Sequence, residues 1–424
     1  MKAIAQADPN KQNMVPFYLV ILYTFLEYGR PQNLVPFLGK LRLPAFTVIM
    51  IALFVAISQK LSLKAKQTLF FLLIMVEMVI HGPIAINNYW AFTTFYVMSV
   101  TFIGYCGIVG FVDTYDKFEK LILSLFLTFI FLSIIGIKNK GVGIGGFIGD
   151  ENDFCMALNM ILPFALFGIF MDKKKSFKFY CILLAALFLF VIALTRSRGG
   201  FVGLVSVIGY CVFRSNKKFA LILLIGVLGI FLVIFAPRGY WQEMGTISEE
   251  ASKKEERLEE QYGTGAQRLY AWKLGWGMFK ENPILGVGQG NYPWHVVDQE
   301  TKMKVQWQTR SLGGRAAHSL YFTLLPELGI VGALLFSMIV IYIWKDLKWV
   351  RKIITRDKKE ITGDSKNIFY YSLAIEASII GFLTSSVFIS TLYYPNFWTM
   401  TGVMVALRSI VESKYSSPPV VPAG

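Results

Sequence analysis

Three histidines in 424 residues, His81, His295 and His318, leave few candidates for a side chain that takes up a proton near neutral pH. Imidazole suits that work because its ordinary pKa is about 6.5. His318 is set apart by its neighbours. The stretch RAAHSLYFTLLPELGIVG, residues 315 to 332, places Arg315 three residues before it and a long apolar run directly after it. Arg310 lies just upstream, and Arg196 and Arg198 share the short stretch LTRSRGGFVGL at 194 to 204. A guanidinium presents a planar fork of donors that matches carboxylate or phosphate oxygens. One base and several such forks would serve chemistry beside an anionic group, provided the fold brings them together.

The elements that must do so are membrane helices. With 55% apolar and 15% aromatic residues and a mean hydropathy of +0.53, the chain carries too much hydrophobic sequence for one soluble core. A spanning helix needs roughly 20 mainly apolar residues, because the bilayer core is about 30 Å thick and each residue rises about 1.5 Å. That ruler predicts an all-α polytopic membrane protein with about twelve spans, centred on residues 15–28, 44–58, 67–81, 90–112, 119–136, 154–171, 177–195, 199–213, 219–236, 317–344, 368–388 and 396–412. The first follows a polar stretch with no small-residue cleavage site after it, so it reads as a retained helix and not a removed signal.

The placement of Lys and Arg orients the chain. With a cytoplasmic N-terminus, the basic loops QKLSLKAKQ (59–67), MDKKKSFK (171–178), RSNKK (214–218) and KDLKWVRKIITRDKKEITGDSKN (345–367) all fall on the cytoplasmic side. One exception, RPQNLVPFLGKLRLP at 30–44, carries three positive charges on the outer side. The formal charge of +15 is therefore mainly topology, dispersed over loops, and gives no nucleic-acid surface. Cys106, Cys155, Cys181 and Cys211 lie inside apolar spans without metal-ligand spacing and read as small buried residues.

Three regions follow: nine spans over 1–236, a large outer loop over 237–316, and three spans with a cytoplasmic tail over 317–424. An 80-residue connection is far longer than the usual few residues and is the kind that carries function. Its first part, TISEEASKKEERLEEQYG at 246–263, reads as a solvated helix supported by Glu249–Lys253 and Glu250–Lys254 pairs. Its second part repeats Arg268, Trp272, Trp276 and Phe279 at helical spacing, which predicts an interfacial helix with its rings at headgroup depth.

The topology collects further polar residues on the outer side of His318. GGFIGDENDF at 145–154 brings Asp150, Glu151, Asn152 and Asp153 to the start of a helix. The Gly199-Gly200 pair after Arg198 would let an anionic ligand approach a helix N-terminus closely. Arginines at the lip of a bundle are costly unless paired, and a phosphate or anionic headgroup is a natural partner.

Taken in order, GDENDF, TRSRGG, RLYAWKLGWGMFKENPILGVGQGNY and HSLYFTLLPELGIVG resemble the O-antigen ligase and polymerase superfamily over residues 145 to 345. Within it, ligases are similar in having a His followed by a small polar residue and, about ten residues on, Gly-x-x-Gly: here His318, Ser319, Gly329 and Gly332. The spacing from Arg198 to Gly209 also fits the polymerases, which stay open as the alternative. The resemblance implies transfer of a glycan from undecaprenyl pyrophosphate to a sugar hydroxyl, of lipid A-core for a ligase or of a second lipid-linked glycan for a polymerase. It places the protein in the bacterial inner membrane with its site facing the periplasm, and it implies neither cofactor nor metal.

On that reading His318 is the general base, and Arg198 and Arg268, with Arg315 and Arg196, hold the pyrophosphate. Asp150, Asn152, Trp272 and Ser319 position donor or acceptor. Membrane lipids are the remaining partners. Glu77 and Glu376, carboxylates within apolar spans, would suit a transporter or flippase of lipid-linked glycan, although no matching halves with interrupted helices accompany them. Hydrolysis of the pyrophosphate, with water as acceptor, would use the same arginines.

Overall fold

The computed structural model describes residues 14–61, 63–235, 239–242, 245, 264–304, 311–356 and 361–415. Arg310 and the 246–263 segment, with its expected solvated helix, lie outside the described residues. Among those described, the architecture is all α. The helices are α1 (Val15–Gly29), α2 (Pro36–Lys40), α3 (Leu43–Ile57), α4 (Lys66–His81), α5 (Asn88–Phe111), α6 (Tyr115–Lys138), α7 (Glu151–Gly168), α8 (Lys175–Thr195), α9 (Arg198–Arg214) and α10 (Lys218–Phe235). They continue with α11 (Thr264–Glu281), α12 (Tyr292–Met303), α13 (Tyr321–Thr355), α14 (Gly363–Ser385) and α15 (Pro395–Tyr415).

Each apolar window of the sequence falls on one of these helices, and α2, α11 and α12 lie between them. Six helices, α4, α5, α6, α8, α13 and α14, are long and apolar enough to cross a membrane, while α1, α3 and α10 are shorter apolar helices. The helix α7 is different in kind: every residue from Asp153 to Gly168 is buried, which is why it tolerates Asn159 and an internal Pro163. It packs against α8, α9 and α14 and forms the centre of the bundle. Glycines along α9 make the approach close, since a side chain at Gly200 or Gly203 would strike Cys155 or Ser385. All four cysteines are buried and free.

The loops sort to two ends. At one, Lys173 binds Glu119 (2.7 Å), the Asp172 amide donates to Asn367 (2.7 Å) and Lys414 reaches Asp364 (2.7 Å), so the loops expected in the cytoplasm sit together. At the other, Asn33 donates to the Ile144 carbonyl (3.2 Å) and the Leu320 amide to that of Ser386 (2.8 Å), which gathers the segments around His318. Within the bundle Arg351 pairs with Glu376 at 2.6 Å, and Asp346 accepts from Gln67 (2.7 Å) and Arg408 (2.6 Å). Glu376 is thus one half of a buried ion pair, a cross-helix tie whose separation would leave a charge uncompensated.

The longest helix, α13, is broken. Pro326 has no amide hydrogen to give its own turn, and Gly329 adopts φ 58°, ψ −159°, a backbone that side chains resist. The carbonyls and amides freed by the break are taken up by the 283–288 loop. Val287 and Gly288 donate to the carbonyls of Pro326 (2.8 Å) and Glu327 (2.9 Å), and Ile330 donates to that of Pro283 (2.9 Å). Gly286 is required where this loop crosses, since a Cβ there would sit 2.5 Å from the Pro326 carbonyl oxygen. The long loop between α10 and α13 is therefore seated in the membrane helix and does not merely lie beside it.

Candidate functional site

His318 stands three residues before α13 in the left-handed conformation, φ 51°, a region His enters more readily than most residues. The backbone around it is tied on both sides. Trp272 of α11 donates its indole N–H to the Ala317 carbonyl (3.1 Å) and stacks on Phe322 with ring centroids 5.1 Å apart. Ser319 is buried, its hydroxyl facing the Phe322 amide at 3.5 Å, so its contact is with the start of its own helix. The imidazole is exposed but crowded. That crowding, with the charges of Arg268 and Arg315, pushes its pKa below the usual value, and Asp150 opposes them by raising it. One ring thus responds to residues from three of the segments singled out by sequence.

Arg268 lies over the ring of Phe388, 5.9 Å from its centroid. Phe388 also presses on the first turn of α9, where a Cβ at Gly199 would meet the Phe388 Cβ at 3.0 Å. One residue therefore touches both Arg268 and the turn that begins with Arg198. Arg196 caps α8 in the left-handed conformation, φ 52°, and its exposed side chain runs against Gly239. Arg315 is exposed, its amide closing a turn onto Leu312 at 3.0 Å.

The acidic start of α7 joins this group through hydrogen bonds. Asp150 caps the helix, accepting from the amides of Asn152 (2.8 Å) and Asp153 (2.9 Å), as carboxylates do at helix N-termini. Asn152 accepts from the Ser197 hydroxyl (2.7 Å), which itself accepts from the Gly200 amide (2.9 Å). Asp153 points elsewhere, accepting from Tyr394 at 3.2 Å.

Two expectations change. The Gly199-Gly200 pair does not open the α9 N-terminus to a ligand: Ser197 takes the Gly200 amide, and the missing side chains make room for Phe388 and Cys155. The aromatic stripe of α11 also divides. Trp276 is exposed and pairs with Phe279 at 5.2 Å, whereas Trp272 turns inward to the His318 backbone.

Ser197, Phe388, Glu300 and Glu327 were not singled out by sequence. Ser197 had a signal, a helix-capping residue between two arginines. Glu327 had one too, as an acid inside an apolar run. It is 2% exposed, and its carboxylate accepts from the amides of Gly290 (2.7 Å) and Tyr292 (2.9 Å) and the hydroxyl of Tyr393 (2.6 Å). Glu300 performs the same service nearer the site, accepting from Tyr270 (3.1 Å), the Leu312 amide (3.0 Å) and the Ser311 hydroxyl. Phe388, in a loop of small polar and apolar residues, had no local signature.

An all-α membrane bundle with arginines, a crowded histidine and an inserted long loop at one end defines a class of polytopic membrane protein. Residues 183–337 match the family model described as O-Antigen ligase. An O-antigen ligase of Salmonella typhimurium (strain LT2) is 30% identical over 203 residues, 45% of this chain and 48% of that protein, so the chain spans about half the length of that relative. Over these residues the chain is similar to O-antigen ligases.

Proposed function

We propose that this protein is a glycosyltransferase of the O-antigen ligase type, moving a glycan from undecaprenyl pyrophosphate to a sugar hydroxyl of lipid A-core at the periplasmic face of the inner membrane. The observation that carries the proposal is His318, held beside Arg268 and Arg315 and within reach of the Asp150 field. An imidazole whose pKa is lowered by crowding and by adjacent cations can accept a proton from an attacking hydroxyl. The same cations neutralise charge developing on a departing pyrophosphate. Arg268, Arg198 and Arg315 bind phosphate oxygens, with Arg196 at the margin. Trp272, Asn152, Asp150 and Ser319 keep the two sides of the site in register through the contacts described above. Arginine forks supply the leaving-group stabilisation without a divalent ion.

The test offers purified protein an undecaprenyl-pyrophosphate-linked glycan together with either lipid A-core or a second lipid-linked unit. Extension of lipid A-core is the expected result. Extension of the second unit would replace the ligase reading with a polymerase, release of free glycan would replace it with hydrolysis, and unmodified donor moved across a sealed vesicle would replace it with transport.

A further inference from the structure

The two histidines not assigned to the transfer site share a different place. His81, at the end of α4, and His295, on α12, line an open cleft of about 480 Å³ together with Asn282 and the isoleucines 84, 86 and 284. None of these residues belongs to the group around His318.

Three features describe what would occupy the cleft. No charged side chain lines it, and the charges that act on His295, those of Asp298, Lys302 and Glu281, are paired with one another, Lys302 reaching Glu281 at 3.0 Å and Asp298 at 2.7 Å. Its polar equipment is two imidazoles and a carboxamide, groups that exchange hydrogen bonds with hydroxyls as donor and acceptor alike. His81 is only 5% exposed and hydrogen-bonds the Gly286 backbone, whereas His295 is half-buried, so the more accessible imidazole is that of His295. Lastly, Ile84, Ile86 and Ile284 are 70%, 67% and 65% exposed. Three bare isoleucines beside the end of a helix apolar enough to span the membrane stand where acyl chains meet headgroups.

We infer that this cleft is a binding site for a membrane lipid with an uncharged, hydroxyl-bearing headgroup, a glycolipid in chemical class. The headgroup lies toward His81, His295 and Asn282, and the chain runs over the isoleucine rim. The site does not depend on the transfer reaction, and a protein altered at His318 keeps it.

The test uses the full chain in phosphatidylcholine nanodiscs and an alkyl glucoside carrying a photoreactive group in its alkyl chain, with labelled peptides identified by mass spectrometry. Saturable labelling is expected within 81–86 or 282–287, displaced by dodecyl maltoside but neither by free maltose nor by phosphatidylglycerol. Ile284→Trp and, from the opposite wall, Ile86→Trp fill the cleft and should each reduce labelling at least tenfold. His295→Ala should weaken it several-fold, and His318→Asn should leave it unchanged. Labelling that survives both tryptophans overturns the site, and equal displacement by phosphatidylglycerol overturns the uncharged headgroup. Displacement by free maltose overturns the role of the chain, and protection by zinc ion alone would make the pair of histidines a metal site instead.

Discussion

The indole of Trp272 donates to the carbonyl of Ala317, 3.1 Å away and one residue before His318. A helix of the long loop before α13 thereby sets the backbone that presents the histidine. Replacing Trp272 by Phe keeps the stack on Phe322 but removes the donor. Transfer should fall by about tenfold or more, since a displacement of a reacting group by about 1 Å is enough to cost that much. Steady-state rates of a protein that elutes like the parent check this. Unchanged turnover would reduce the bond to packing.

Replacement of His318 tests the base directly. Asn tolerates the left-handed backbone that His318 adopts, so His318→Asn should preserve the local fold while lowering transfer by about 100- to 10,000-fold, the usual contribution of a general base. Donor binding, measured with labelled lipid-linked glycan, should persist. His295→Ala should cost far less, because that ring lies in the other cleft.

The pH profile carries its own signature. A base must be neutral to act, and crowding with Arg268 and Arg315 lowers the His318 pKa, so kcat/KM should hold at pH 7 and fall only below about 6.5. Arg315→Gln removes a cation that disfavours protonation, and the acid limb should move up. Asp150→Asn keeps a helix-capping side chain but removes an anion that favours protonation, and the limb should move down. Opposite shifts from the two variants are the expected result; shifts in the same direction would dissociate the limb from His318.

Arg198→Lys and Arg268→Lys keep charge but lose the bidentate fork, and both should be strongly impaired. If these arginines carry the leaving group, initial rates should survive excess EDTA without gain from magnesium or manganese. Activity that collapses in chelator and returns with a divalent ion would transfer that role to Asp150 and its acidic neighbours.

Glu327 should behave as an anchor. Glu327→Leu leaves the amides of Gly290 and Tyr292 and the hydroxyl of Tyr393 without their acceptor, at about 1 to 3 kcal/mol for each donor left buried. The 283–292 loop should then become sensitive to limited proteolysis at temperatures where the parent resists. Glu327→Gln, which can still accept, should be milder.

Sidedness is open to thiol labelling in a cysteine-free background. Asp298 is exposed in the long loop, and if that loop faces outward as the basic loops predict, Asp298→Cys should react with an impermeant reagent in intact cells, whereas Lys352→Cys should not. Gln289, an apparent choice from its place in that loop, is 0% exposed and hydrogen-bonded to the carbonyl of Met78 (2.8 Å), so it would report burial and not side.

Much of this fold was legible because long apolar windows have one solution in a membrane, and each fell on a helix. The gathering of these polar residues at one end was legible for a related reason. Arg198, Arg268, Arg315 and His318 are polar residues where polarity is costly, and the topology alone set them at one end. What was hidden is how they are held. Phe388 meets both Arg268 and the Gly199 turn without any local pattern, because its partners come from helices far apart in the chain. The two glycines after Arg198 were misread for the same reason: a missing side chain signals close approach, but sequence does not say whether ligand or neighbouring helix does the approaching. Glu327 was masked by the apolar run that contains it, since a hydropathy window averages a single acid away.

The seating of the long loop also fixes an order of biosynthesis. Gly290 and Tyr292 are made before Glu327, and Glu327 before Tyr393, so the loop emerges with its amides unmatched and waits for helices not yet inserted. Until the chain has been threaded through α13 and on to Tyr393, the carboxylate that holds the loop lacks one of its three donors, and Phe388 is not in place under Arg268. A nascent or truncated chain therefore has its arginines before it has their arrangement, and the end of the bundle around His318 is completed only after the rest has been laid down.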